Sequence, residues 1–150
     1  METQLNAPLT ENSSVQESSK DENLYFKAPE GALSAAGLAY IGDAIFELLV
    51  RERLLSEGGR NGNRLNKRAA GMCSAAGQAR AASVLLPMLS EEEADAYRRG
   101  RNAALSIAKK RHPDIHCAAT GLEALFGQCY LSGNRSRLLE LFEVCYQAAR

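Results

Sequence analysis

The segment "LAYIGDAIFELLV", residues 38–50, combines a helical pattern of apolar residues with one acidic residue. Asp43 lies in this segment, directly after Gly42. Aspartate is unfavourable inside a helix, because its short side chain competes with the backbone for hydrogen bonds. A carboxylate at the edge of an apolar face is costly unless it is paired or binds a cation. The apolar residues around it recur at spacings of three and four, as in a helix that packs one face into a core: Leu38, Ile41, Ile45, Leu48 and Leu49.

Helical patterns extend in both directions from this segment. The first predicted helix runs from about Ser34 to Glu57 and ends at a pair of glycines, which is a normal C-terminal stop. An alanine-rich stretch follows and predicts one or two helices, with a break near residues 71–74 and an end at Pro87.

Three more helices are predicted in the second half of the chain. Ser90 and Glu93 form a capping box at the start of the first of these. A polar segment from Ala108 to Asp114 separates it from "TGLEALFGQCYLSG", and "RSRLLELFEVCYQAAR" is the last. No alternating strand pattern and no internal repeat is found. We therefore predict an all-α helical bundle of six or seven helices.

The composition divides the chain into two parts. Residues 1–30 are polar and carry six acidic and two basic side chains, and we predict a disordered leader there. Residues 31–150 carry 12 acidic and 16 basic side chains and form the predicted folded domain. The four cysteines include no CxxC pair, and no apolar run approaches the roughly 20 residues that span a bilayer. We therefore expect a cytosolic protein with free thiols and no membrane segment.

Three acidic residues are candidates for chemistry. Glu47 follows Asp43 by four residues, but Arg51 is its own i+4 partner, so we favour a solvent-facing ion pair for Glu47. Glu123 lies among apolar residues, although Thr120 and Glu123 also form a T-x-x-E capping box that would explain both without any function. If Asp43 and Glu123 converge, they suit Mg²⁺, which takes few carboxylates together with water and phosphate. Such an ion would support hydrolysis of a phosphodiester.

Basic residues cluster in two stretches. "RRGRNAALSIAKKRH", residues 98–112, contains six bases and no acid, and "NRLNKRAA", residues 63–70, adds three more. A solvated basic face is the ordinary explanation of such a run. No aromatic residue is interleaved with these bases, which argues against stacking on single-stranded bases and for contacts with a duplex backbone. The candidates for contact with the phosphates of such a duplex, which the resemblance described next identifies as RNA, are Lys67, Arg68, Arg99, Arg101 and Asn102.

Four motifs in this order resemble Mini-ribonuclease III, the small bacterial branch of the ribonuclease III family that has no separate RNA-binding domain. They are "LAYIGDAIFELLV", "NRLNKRAAGMCSAAGQA", "EEEADAYRRGRNA" and "ATGLEALFGQCYLSG", and the resemblance covers about residues 33–142. It implies an all-helical ribonuclease III fold that works as a homodimer. It also implies cleavage of double-stranded RNA that depends on Mg²⁺, or on Mn²⁺ in its place, and leaves 5′-phosphate and 3′-hydroxyl ends. The biological role that it implies is maturation of large-subunit (23S) ribosomal RNA.

The resemblance assigns the catalytic, metal-binding pair to Asp43 and Glu123. Full-length ribonuclease III enzymes carry further acids one turn before each of these, where this chain has Ala39 and Thr120. The mini branch generally lacks both of these acids, so their absence fits the resemblance. A departure from the branch is that His116 and Cys117 occupy positions where Tyr-Arg is usual. The alternatives are a catalytically silent RNA-binding or ribosome-assembly module on the same fold, and a helical protein–protein adaptor.

Overall fold

The computed structural model describes residues 31–107 and 112–150. Within these ranges it contains six α-helices and no strand, which confirms the predicted all-α class. The helices are α1 (Ala35–Ser56), α2 (Gly62–Cys73), α3 (Ala75–Leu85), α4 (Glu91–Ile107), α5 (Pro113–Leu131) and α6 (Arg135–Ala148), with a 3₁₀ turn at Leu86–Met88 between α3 and α4. The leader predicted for residues 1–30 and the bases at 109–111 lie outside the described residues.

Local signals in the sequence place most helix ends. Ser34 caps α1, and Ser74 both ends α2 and caps α3, which explains the break predicted there. The backbone N–H of Glu93 donates to Ser90 Oγ at 3.2 Å, and the Glu93 carboxylate accepts from the Ser90 N–H at 2.9 Å, so the capping box is present. Pro113 and Asp114 were expected in a polar segment between helices, but they are the first two residues of α5, where the missing N–H of a proline has no cost.

Helix α5 is the centre of the bundle, and α1, α3 and α4 all pack against it. Its buried side chains join those of α1 and α6 in one core, in which Phe46 meets Phe126 edge to face at 5.2 Å and Phe142 at 5.9 Å. Leu48 was expected on the buried face of α1, but it is half exposed because that face is turned toward Leu49. All four cysteines are free thiols; Cys73 is half-buried and the other three are buried.

Candidate active site

Helices α1 and α5 touch backbone to backbone at Gly42. A methyl group on Gly42 would overlap the carbonyl oxygen of Glu123, and a methyl group on Gly127 would overlap the carbonyl oxygen of Leu38. The two glycines therefore permit a closer approach than side chains would allow. Because Asp43 is the next residue after Gly42, this contact brings Asp43 to Glu123 although the two are 80 residues apart in sequence.

The two carboxylates interact across this contact. Burial raises the pKa of Glu123 to about 7, and the neighbouring Asp43 adds to the shift through its negative charge and a hydrogen bond that favours the protonated form. Asp43 itself is exposed, although the sequence analysis expected its carboxylate to be unfavourably placed at an apolar face. The carboxylate that burial affects is that of Glu123. The pair therefore presents one carboxylate to solvent and holds the other half-buried behind it.

The structure decides two further interpretations of the acidic residues: the capping box of Thr120 with Glu123, and the ion pair of Glu47 with Arg51. Thr120 lies in the middle of α5, seven residues after Pro113, so Thr120 and Glu123 do not cap a helix and that alternative is wrong. Glu47 accepts a hydrogen bond from Arg51 Nε at 3.0 Å, which confirms the ion pair expected for it. Ala39 is buried at the position where a further acid would lie one turn before Asp43.

A residue that the sequence analysis missed, Gln78, lies beside Glu123. Its amide favours the ionised form of the carboxylate and lowers the pKa of Glu123, against the effects of burial and Asp43. The Gln78 side chain is only 2% exposed. A signal was available, since Gln78 occupies the first position of an i, i+3, i+4, i+7 stripe completed by Ala81, Ala82 and Leu85.

The end of α2 lies near the same carboxylates. Burial raises the pKa of the Cys73 thiol to about 11, and the charges of Glu47 and Asp43 contribute. Cys73 is the last residue of α2, and Arg68 precedes it by about 7.5 Å along the helix axis. Cys73, at the end of α2, therefore lies near Asp43, one member of the acidic pair.

Lys67 and Arg68 line a groove of about 390 Å³ between α2, α3 and the end of α6. Arg80 and Arg150 line the same groove, which the sequence analysis did not predict. Arg68 lies at the edge of this groove, where its Nη2 donates hydrogen bonds to the Glu57 carboxylate and to the Tyr146 hydroxyl, each at 3.4 Å. Four cationic side chains in one groove can contact phosphate oxygens.

The candidates on α4 have different environments. Arg99 is half-buried and donates from Nη2 to the carbonyl oxygen of Leu33 at 2.7 Å, so part of its guanidinium fastens the segment before α1 to α4. Arg101 is half-buried and Asn102 is exposed. The structure does not bring these three into the groove of Lys67 and Arg68.

The donor set fits a hard divalent cation. The described residues contain no cluster of three or more His, Cys, Asp or Glu side chains that could hold a metal. A pair of carboxylates is the set that Mg²⁺ uses when water and substrate phosphate complete its coordination, whereas a structural zinc site takes four protein ligands. Asp43 and Glu123 are the side chains that would hold such an ion.

The departure at residues 116 and 117 also has a structural consequence. Cys117 is 1% exposed and belongs to the buried side of α5, while His116 is half-buried. The Cys117 side chain therefore packs in the interior and offers no group to a ligand at the surface.

Among the residues that the structure describes, no helix is both long and apolar enough to cross a membrane.

The chain is similar to known proteins in both sequence and fold. Residues 36–134 match the family model described as "Ribonuclease III domain". A crystal structure of a Fusobacterium nucleatum protein has the same fold, with a TM-score of 0.68 and 27% identity over 75% of this chain and 87% of that one. The family match and the shared fold thus define a ribonuclease III-type endoribonuclease, which is a hydrolase.

Curated relatives identify the branch of this family to which the chain belongs. A protein of Symbiobacterium thermophilum named "Mini-ribonuclease 3" is 44% identical over 107 residues, which cover 71% of this chain and 82% of that protein. A protein of Synechocystis with the same name is 41% identical over 121 residues, or 79% of this chain and 84% of the relative. The chain therefore belongs to the Mini-ribonuclease III branch of the ribonuclease III family.

Proposed function

We propose that this endoribonuclease hydrolyses double-stranded RNA with Mg²⁺, or Mn²⁺ in its place, and leaves 5′-phosphate and 3′-hydroxyl ends. The observation that carries the proposal is the convergence of Asp43 and Glu123 at the glycine contact between α1 and α5. Bound Mg²⁺ would orient the phosphate, activate water and stabilise the leaving oxygen. Asp43 and Glu123 would hold the ion, and their carboxylates would be ionised when it is bound.

We infer that RNA reaches this pair while it lies across a basic surface, made of the groove of Lys67 and Arg68 together with the basic residues of α4. Lys67 and Arg68 in the groove, with Arg80 and Arg150, provide contacts to one phosphate rail, and Arg101, Asn102 and the remaining donors of Arg99 provide others. An A-form duplex offers its phosphates and 2′-hydroxyl groups to such a surface without base readout. Because these contacts are electrostatic, affinity falls steeply with salt.

We further propose that the enzyme works as a homodimer. The exposed side of α1 carries an apolar stripe at i, i+4 spacing, made of Ala36, Tyr40, Ala44 and Leu48. Tyr40 is 85% exposed, and the stripe borders Asp43. A large apolar stripe on a helix of a small protein is an expected contact surface for a partner. A second copy that covers it would place two acidic pairs on one duplex, one for each strand.

The natural substrate that we propose is the precursor of large-subunit (23S) ribosomal RNA, and this substrate implies a cytoplasmic enzyme. The curated relatives named Mini-ribonuclease 3 support RNA as the substrate, and the resemblance to this branch implies the ribosomal precursor. A transcript with the paired ends of such a precursor should be cut at fixed positions. A random duplex of equal length should be cut less selectively under the same salt.

The test of the nuclease is gel analysis of a long RNA duplex with the protein and Mg²⁺, beside EDTA and Asp43→Asn. Cleavage that requires metal and is lost in the variant supports the proposal. The control is Glu47→Gln, which changes a carboxylate of the same helix that is already paired with Arg51. RNA binding without cleavage, in either Mg²⁺ or Mn²⁺, would instead support a silent RNA-binding or assembly module. Absence of RNA binding would support a protein adaptor.

A further inference from the structure

Gln78 is a buried polar side chain with an unused donor. Its side-chain Nε2 is inaccessible to solvent and completes no hydrogen bond of good geometry with the described residues, although the amide lies close enough to Glu123 to lower the pKa of that carboxyl. Buried polar groups in native proteins are almost always hydrogen-bonded, so an unpartnered amide calls for an explanation. The apolar neighbours of Gln78 along its stripe, Ala81, Ala82 and Leu85, offer no side-chain acceptor.

The position of Gln78 is set by a tight elbow between α2 and α3. Ser74 ends one helix and caps the next, and its Oγ accepts from the Gly77 N–H at 3.1 Å. A methyl group on Gly77 would overlap the carbonyl oxygen of Gly71 and lie 2.6 Å from that of Met72, so the elbow has no room for a side chain there. The next residue, Gln78, is directed inward, where α3 packs against α5.

The acceptor beside the Gln78 amide is the carboxylate of Glu123, which also faces Asp43. We propose that Gln78 is a positioning residue whose Nε2–H donates to the Glu123 carboxylate and holds it toward Asp43. This inference rests on the proposed function, because it assigns Gln78 to the support of that metal-binding pair. A partner of a metal ligand fixes the orientation of the ligand, and its loss commonly lowers metal affinity or activity about 10- to 100-fold.

The first experiment replaces the donor without leaving a hole. Gln78→Met retains the volume and suits an apolar neighbourhood, and Gln147→Met makes the same change on the exposed side of α6. Thermal unfolding, affinity for Mn²⁺ alone, and kcat and KM on an RNA duplex are measured for both. We expect Gln78→Met to fold, to bind Mn²⁺ about 10-fold more weakly and to lose about 10-fold in kcat, with KM within about twofold of the original. Unchanged Mn²⁺ affinity and kcat would overturn the proposal.

The second experiment needs no variant at Gln78. Hydrogen exchange of the Gln78 side-chain amide is followed by NMR in the full chain and in Glu123→Ala, without metal. We expect exchange to become at least several-fold faster in Glu123→Ala, while the side-chain amide of Gln128 keeps its rate. Equal rates at Gln78 would overturn the proposed hydrogen bond. If the unaltered protein neither binds Mn²⁺ nor cuts RNA, the proposed function fails, whereas the exchange result still decides whether Gln78 holds Glu123.

Discussion

Gly42 of α1 lies directly against the backbone carbonyl of Glu123 in α5, with no space between them for a methyl group. This contact turns two distant acidic residues into a pair. The side chain that follows Gly42 is Asp43, and the side chain on the contacted residue is Glu123 itself. The spacing of the carboxylates is therefore set by the backbones of two packed helices rather than by flexible loops.

The contact predicts that Gly42→Ala is disruptive. The added methyl group must push α1 and α5 apart, so we expect a loss of at least about 2 kcal/mol in the free energy of unfolding and a strong loss of cleavage. Gly71→Ala is the matched control, because a methyl group at Gly71 of α2 meets nothing and alanine favours a helix. Denaturant unfolding checks both. A Gly42→Ala protein of normal stability would show that the helices can separate without cost.

The acidic pair predicts loss of catalysis without loss of fold. Asp43→Asn and Glu123→Gln should each lower cleavage by more than about 100-fold, since even indirect changes near a metal ligand cost about 10- to 100-fold. Circular dichroism and size-exclusion chromatography should be unchanged. Normal cleavage by either variant would remove that residue from the proposed site, and Glu47→Gln should remain active.

The raised pKa of Glu123 predicts a pH-dependent stability. The folded protein holds the Glu123 proton up to about pH 7, but the unfolded chain releases it near the ordinary value of 4.5. Folding without metal therefore becomes less favourable as the pH rises from 4.5 through 7. Glu123→Gln cannot ionise and should be more stable than the original protein at pH 8, by about 1 to 3 kcal/mol.

The difference in stability between the original protein and Glu123→Gln should disappear below about pH 4.5, where the Glu123 carboxyl is protonated in both the folded and the unfolded chain. Denaturant unfolding in EDTA at several pH values measures it. Glu52→Gln, at an exposed position of α1, is the control for removal of a surface charge. A Glu123→Gln protein that is no more stable at pH 8 would contradict the burial of this carboxylate.

The basic surface predicts a specific change in salt dependence. Arg101→Ala should weaken RNA binding and reduce the slope of log affinity against log salt by about one phosphate contact. Arg98→Ala is the control, because Arg98 is already paired with Asp95 at 2.9 Å. Binding curves at several salt concentrations compare the two. An unchanged slope for Arg101→Ala would exclude a phosphate contact by this residue.

The apolar stripe on α1 predicts the oligomeric state. Tyr40→Lys should shift the protein toward the monomer, because a charge in a covered apolar surface is costly. Leu139→Lys places the same charge at another exposed apolar position, on α6, and should leave the dimer intact. Light scattering after size-exclusion chromatography gives the masses. A Tyr40→Lys protein that remains dimeric would place the interface elsewhere.

Much of the fold could be predicted from the sequence, because its signals are local. The period of the apolar residues indicated helices, and the Ser74 break and the Ser90–Glu93 capping box were correct, since caps depend on residues a few positions apart. The capping prediction for the T-x-x-E motif at Thr120 was wrong, because a local motif does not show where its helix begins. Helix α5 begins at Pro113, so Thr120 lies inside the helix and has no helix end to cap.

The sequence by itself determined the helices, the family and the two acidic candidates, because these depend on residue spacing and on motifs in order. Only the tertiary structure decided that Asp43 is exposed and Glu123 half-buried, that Gln78 lies behind them, and that Arg99 is partly engaged by Leu33. These facts depend on which faces of distant helices meet. The packing of the whole core decides which faces meet. Here the contact between Gly42 and the backbone of Glu123 brings the faces of α1 and α5 together, and no local sequence pattern reveals it.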